Sequence, residues 1–497
     1  MLRTKPYSSP EVPVTGQEYT FFNIIFLAIS CVIGTGVYFS SVTTAATSGS
    51  ASVPALFICV FLCLFIALPF AELSTRIPGF TYEYIYCTCG EFFALFYSFT
   101  TLVTNVFVSA INAQLWANTI RNALGYDLDY LEVLPIIAIS GLVIAGRRTG
   151  AVASNIVTII NLTNAILASF LLLTQDNFTF PWKKLTSGIE DIDKMKAAFP
   201  VWFFTLLGFE NVGVFSRGIK NPGKIIPMSM IIALVSAAVL NLFTFIGVFG
   251  QSKEPNVSSV IDMIEWNQVK TVMRFTSICG ITSSSLWITI LQGEVMLTLG
   301  KDGLMPSILS VQNSAGIPYI SIMFHVLFSI ICCYSGSISE LISTLSWAII
   351  GMPMASIGLI FSHYEANSPS FFQLKKYGFF FAITAITLGL LDSFSSLRII
   401  NSWLFRIFIF IVMIVIFSDL CKKSRVTCKP ALVNCIWFPY LPIISSLLFF
   451  FLVGYVMNVK SFLFVLTTTF LTYLTYSRNN SNLAKSKDTL LNSKNTD

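Results

Sequence analysis

The chain has 497 residues, of which 55% are hydrophobic and 14% aromatic, with 46 phenylalanines and charge at only 11% of positions. Soluble domains carry roughly 25% charged residues, so water-soluble, disordered and nucleic-acid-binding classes are excluded together. The net charge of +6 is scattered instead of forming a basic stripe, which leaves an integral, polytopic membrane protein.

In chain order, residues 1–20 are polar and read as a cytosolic tail without a cleavable signal. Apolar runs long enough to cross a bilayer follow near 22–42, 53–73, 91–115, 131–146, 151–174, 197–215 and 226–249. A second set lies near 273–298, 319–334, 340–362, 378–393, 399–419, 436–457 and 460–476. These about 14 spans are continuously apolar, so each is expected as a helix, because lipid offers no partner for an open backbone. The expected fold is therefore all-α. The tail 477–497, rich in Ser, Asn and Lys, reads as disordered.

Orientation follows from the basic residues. Nineteen of the 30 Lys and Arg fall in the segments that share a side with the N-terminus, which predicts cytosolic N- and C-termini. Two Asn-x-Ser/Thr sequons, at Asn177 and Asn256, fall in loops that this topology puts outside and are expected to be glycosylated.

No metal or cofactor site is expected. His325 and His363 are the only histidines, and most cysteines, such as Cys31, Cys59 and Cys63, sit in apolar runs as small hydrophobes. Cys421, Cys428 and Cys435 recur at sevens but lack histidine partners. No Ser/His/Asp or Cys/His constellation lies at depth, so an enzyme is not expected.

The informative features inside a membrane are glycine-interrupted helices and ionisable groups at depth. Span one reads Ser30-Cys31-Val32-Ile33-Gly34-Thr35-Gly36-Val37-Tyr38. Glycines around a threonine can unwind a turn and free amides at the positive end of the next half-helix, which suits a carboxylate. Close helix packing through small residues is the other reading. Span six reads Leu207-Gly208-Phe209-Glu210-Asn211-Val212-Gly213. It stands five spans later, the spacing of two inverted five-helix repeats. Freed carbonyls in both breaks would hold an ammonium group. Glu210 is either a counter-charge for a cationic substrate or a cap on amides within the break.

Several motifs then carry a resemblance. They are Gly34-Thr35-Gly36-Val37-Tyr38, Ala71-Glu72 through Arg76-Ile77-Pro78, Gly208-Phe209-Glu210, Lys220-Asn221-Pro222-Gly223-Lys224 with Ile226-Pro227, and Lys301-Asp302-Gly303-Leu304. Together they resemble the amino acid–polyamine–organocation superfamily, and within it the cationic amino acid transporters of the solute carrier 7 family. The resemblance implies a transport core over 21–362 with broken helices 1 and 6, and extra helices 11–14 over 363–476. It implies alternating access, with substrate at Ile33, Gly34, Thr35, Gly36, Val37, Gly208, Phe209 and Glu210. The implied partners are an amino acid (arginine, lysine or ornithine) and the lipid bilayer, not nucleic acid, and the plasma membrane is the expected location. An accessory subunit is left undetermined.

This chain also departs from the family pattern. Arg217-Gly218 stands where acidic residues precede Lys-Asn-Pro, and Thr81-Tyr82-Glu83 stands where small residues precede span three. Span five contains no ionisable residue, whereas some superfamily members use a basic group there for ion coupling. Facilitated, uncoupled transport is therefore expected. A neutral amino acid or polyamine transporter, and a non-transporting sensor, are the alternatives.

Overall fold

The computed structural model describes residues 20–477 except 35, 78, 125–128, 183–190, 220, 252–258, 337–340, 342–349, 364–368, 394–402, 424–434, 436 and 457–462. Thr35, Lys220, Asn256, the side chain of Arg217 and, of the expected tails, residues 1–19 and 478–497 lie outside the described residues.

Span one is two helices, α1 (Phe21–Val32) and α2 (Gly36–Ser48), and α3 (Ser52–Arg76) follows. Thr20 caps α1, its hydroxyl accepting from the Asn23 amide at 3.3 Å. A short helix α4 (Thr81–Thr88) leads into α5 (Glu91–Leu124), α6 (Val133–Ile144) and α7 (Arg147–Thr174). Span six is also divided: α8 (Ile192–Leu206) gives way to a 3₁₀ segment, Phe209–Gly218. Then come α9 (Pro222–Phe249), α10 (Asn267–Lys301), α11 (Tyr319–Cys333) and α12 (Gly351–Ser362). The C-terminal set is α13 (Pro369–Ser393), α14 (Trp403–Lys423), α15 (Tyr440–Val456) and α16 (Leu463–Ser477).

Among the described residues the only β pairing is an isolated bridge between Phe178 and Gln251, so the all-helical expectation holds. Among the described residues, four segments, Phe21–Arg76, Glu91–Arg121, Val152–Thr174 and Pro222–Phe249, are long and apolar enough to cross a membrane by length and composition. At about 1.5 Å per residue, the 28 residues of α9 reach about 42 Å.

The helices are apolar on both sides of the bundle. Val152, Ile156, Ile159, Ile166 and Phe170 form an exposed stripe along α7, spaced as one helical face. Trp202, Phe203, Phe245 and Phe70 are buried inside. The Trp202 indole donates to the Ser52 carbonyl at 3.0 Å, so even this deep ring has its polar atom satisfied. Exposed threonines on the helices bond back into their own turns, as Thr163 does to the Ile159 carbonyl at 2.8 Å, which satisfies the hydroxyl where it faces lipid.

The loops pair as alternating spans require. On one face Tyr82, between α3 and α5, meets Asp302 at the end of α10. There Asn313, after α10, donates to the Ile144 carbonyl at the end of α6. On the other face the turn around Phe178 meets Gln251, and Asn177 donates to Glu265 at 2.7 Å. Loops predicted for the same side are thus joined.

Candidate functional site

The two breaks touch. In α1 the Ile33 amide still donates to the Ile29 carbonyl at 2.7 Å, and Gly34 then turns tightly onto the Val32 carbonyl at 3.2 Å. The helix resumes at Gly36. In span six the chain leaves α8 at Leu206, and Gly208 sits at φ +112°, a conformation that favours glycine. A Cβ on Gly208 would lie 2.0 Å from the Cys31 carbonyl oxygen, so this glycine admits the end of α1 directly against the span-six break. The ten-residue 3₁₀ run that follows is well beyond the usual three or four.

Glycines also set the clearances on the span-one side. A Cβ on Gly36 would meet the Thr205 methyl at 3.0 Å, and one on Gly34 the Ser284 methylene at 3.2 Å. Ile33, Val37 and Phe209 are buried, while Gly34, Gly36 and Glu210 are half-buried. Seven of the eight sequence-nominated residues therefore cluster at one junction, and Thr35 is the one outside the described residues.

The Glu210 carboxylate is turned inward on its own break. One oxygen accepts from the Gly208 amide at 2.8 Å, the other from the Asn211 side-chain amide at 2.8 Å. The Thr81 hydroxyl donates to the Glu210 backbone carbonyl at 3.3 Å, tying α4 beneath the break. This geometry is that of a cap, because the bonds close the two-residue gap that the unwound turn opens.

A family model described as amino acid permease matches residues 19–474. The chain belongs to the amino acid permease family. It is a multi-pass transmembrane protein of the amino acid–polyamine–organocation superfamily. Among curated relatives it is 25% identical over 320 residues to the methylthioribose transporter of Bacillus subtilis (strain 168), covering 58% of this chain and 68% of that one. It is 24% identical over 342 residues to the branched-chain amino acid permease BcaP of the same bacterium, covering 62% and 72%. Cationic amino acid transporter 3, mitochondrial, of Arabidopsis thaliana is 22% identical over 385 residues, covering 70% and 62%.

Other residues of the permease reach the break that the sequence reading did not nominate. Asn161 of α7 holds both ends of span one. Its amide nitrogen donates to the Ile33 carbonyl at 3.1 Å, and its oxygen accepts from the Tyr38 hydroxyl at 2.9 Å. Asn164, one turn on, donates to the Tyr38 oxygen at 3.0 Å. A Cβ on Gly280 of α10 would lie 2.4 Å from the Asn161 oxygen, so α10 is pressed against this staple. Ser40 and Thr205 share a 2.5 Å hydrogen bond across the two broken helices. On α5, Asn112 donates to Ser284 at 2.7 Å beside Gly34. The legible signal was two asparagines three apart in an otherwise apolar span, since amides at depth are costly unless they have a partner.

Proposed function

We propose that this permease carries amino acids across the membrane by facilitated alternating access, with cationic amino acids as the preferred class. The observation that carries the reading is the contact of the two breaks, with Gly208 seated on the Cys31 carbonyl. The start of α2 at Gly36 offers N–H groups and the positive end of a helix to the substrate carboxylate. Carbonyls at the end of α1 and around Leu207–Gly208 suit its ammonium group. Ile33, Gly34, Thr35, Gly36, Val37, Gly208, Phe209 and Glu210 are the proposed binding residues. Residues 21–362 form the proposed inverted-repeat core, and helices 11–14 over 363–476 are added to it. Cytosolic termini and a plasma-membrane location complete the proposal.

Uncoupled transport is supported by Asn161. The α7 group that holds the span-one break is a neutral amide, and Val152–Thr174 contains no ionisable residue that could exchange a proton or replace a cation. Cationic preference is supported by the motif resemblance and by relatives named as cationic amino acid transporters. A second reading, neutral amino acids, is favoured by Glu210: with both carboxylate oxygens engaged in the break, it is poorly placed to serve as a counter-charge.

The test is uptake of labelled arginine against labelled leucine in a low-background cell, with and without sodium and at two membrane potentials. Sodium-independent, potential-sensitive arginine uptake is expected. Leucine uptake alone replaces the cationic label with the neutral one. Silence for both, with the protein at the surface, overturns transport and favours a sensor.

A further inference from the structure

At the end of the molecule that carries Tyr82 and Asp302, one carboxylate joins three separate parts of the chain. Glu72 of α3 is 1% exposed. Its Oε1 accepts from Arg76 Nε, one turn on, at 2.7 Å and from a second Arg76 nitrogen. Its Oε2 accepts from the Cys435 backbone amide at 2.7 Å, in the approach to α15. His363, at the C-terminal end of α12, completes the cluster: Nε2 lies 3.0 Å from Glu72 Oε1 and 3.0 Å from an Arg76 guanidinium nitrogen. The Phe438 ring stacks on the imidazole at 3.9 Å.

Donor and acceptor bookkeeping makes this imidazole a two-position device. Nδ1 lies 3.0 Å from the Leu359 carbonyl, which only accepts, so Nδ1 carries a hydrogen. The state of Nε2 then decides its partner. In the neutral ring Nε2 is a lone pair and accepts from Arg76. In the charged ring Nε2–H donates to Glu72, and the imidazolium stands against the like charge of Arg76. Of the other titratable groups on elements packed against α12, Cys89, just after α4, turns to the Met354 carbonyl, Tyr82, Glu83 and Tyr84 of α4 bond to Asp302, the Phe80 amide and the Gly79 carbonyl, and Lys375 of α13 lies over the Phe361 ring. The imidazole lies directly against Glu72 and Arg76, and the backbone amide of Cys435 reaches the same carboxylate.

We propose that His363 is a proton-operated joint between the transport core and the C-terminal helices, closed by acid on this face. The proposal rests on the transport reading above and on its assignment of this face to the cytosol. In the closed position Glu72 holds the α3 guanidinium, the α12 imidazolium and the amide leading to α15 on one carboxylate. Because α3 packs against α8 and α9 as well as α15, a shift of the broken helices must shear that cluster. Protonation therefore slows the conformational cycle.

Two measurements test it. Uptake is followed with external pH fixed and cytosolic pH clamped at about 7.4 or about 6.2. The wild type is expected to slow about threefold at the lower value. H363Q and H363F, which cannot titrate, are expected to be flat at equal surface amounts; the phenylalanine keeps an aromatic face for Phe438. A wild type that is flat, or variants that slow equally, overturns the proposal. The second measurement needs no substrate: alkylation of Cys435 in the purified full-length protein, each variant compared with wild type at the same pH. Wild type should be protected about threefold relative to H363Q at pH 6.2, with the difference gone at pH 7.5. Matching labelling at both values overturns the joint, whereas protection without any uptake faults the transport reading instead.

Discussion

At the scale of single residues, the span-six break depends on Gly208 having no side chain. Ala at this position has both an unfavourable backbone and a methyl group driven into the Cys31 carbonyl. Together these cost roughly 2–4 kcal/mol. Gly208→Ala is expected to lower thermal stability in detergent and abolish uptake. Gly36→Val has more room, its nearest neighbour being the Thr205 side chain at 3.0 Å instead of a backbone carbonyl, so surface expression should persist while uptake is lost through obstruction at the start of α2. Normal uptake by that variant would remove the span-one site. Glu210→Gln can still accept from the Gly208 amide, but its new NH₂ faces the Asn211 donor. Replacing a charge-assisted cap costs about 1–2 kcal/mol. A capping role predicts equal fractional losses of arginine and leucine uptake, and a larger loss for arginine would make the carboxylate a counter-charge. The glycines were legible because their pattern is local, whereas the partner of Asn161 was not. An asparagine in an apolar run states that a partner exists without saying which, and the Ile33 carbonyl it finds is 128 positions away.

At the scale of elements, the sequence marked both breaks but not their form. Span six was expected as one interrupted helix over 197–215, and the chain after Gly208 is instead 3₁₀ to Gly218. The cause is tertiary: a Cβ on Gly213 would lie 2.5 Å from the Gly79 carbonyl, so this segment is shaped by the loop pressed against it. That loop leads into α4, and each residue of Thr81-Tyr82-Glu83 has a separate duty there. Thr81 reaches the Glu210 carbonyl, Tyr82 donates to Asp302 at 2.6 Å, and Glu83 accepts from the Phe80 amide at the start of α4. Burial and the adjacent Asp302 carboxylate push the Tyr82 hydroxyl well above the usual tyrosine range, so it stays a donor throughout physiological pH. Tyr82→Phe removes the bond between α4 and the end of α10. The expected outcome is normal surface expression with a two- to threefold rise in maximal uptake rate and little change in half-saturating concentration. An unchanged rate would make the bond merely structural.

At the scale of the whole molecule, composition alone placed the chain in a bilayer, because burial and lipid exposure both demand apolar surface. Helix ends were less legible: α10 runs from Asn267 to Lys301, beyond the apolar run 273–298, since packing partners outside that run extend it. Topology has its own test. Asn177 lies in the turn that pairs with Gln251, its side chain exposed and bonded to Glu265. Asn177→Gln is expected to increase electrophoretic mobility of protein made in a glycosylating host, and an unchanged band with Asn256 also replaced would count against the outside assignment of both loops.

The amide staple at Asn161 also bears on cellular economy. Under the uncoupled reading, the driving force for a cationic amino acid is the resting voltage alone, about 2.3 kcal/mol per 100 mV for each charge. A cell at about 60 mV inside-negative then concentrates arginine only about tenfold, whatever its sodium or proton gradients. A neutral amino acid carried on the same route would merely level with its surroundings. Depolarisation would release the store, so a carrier built this way serves supply and buffering of cationic amino acids in electrically quiet cells better than scavenging from dilute media.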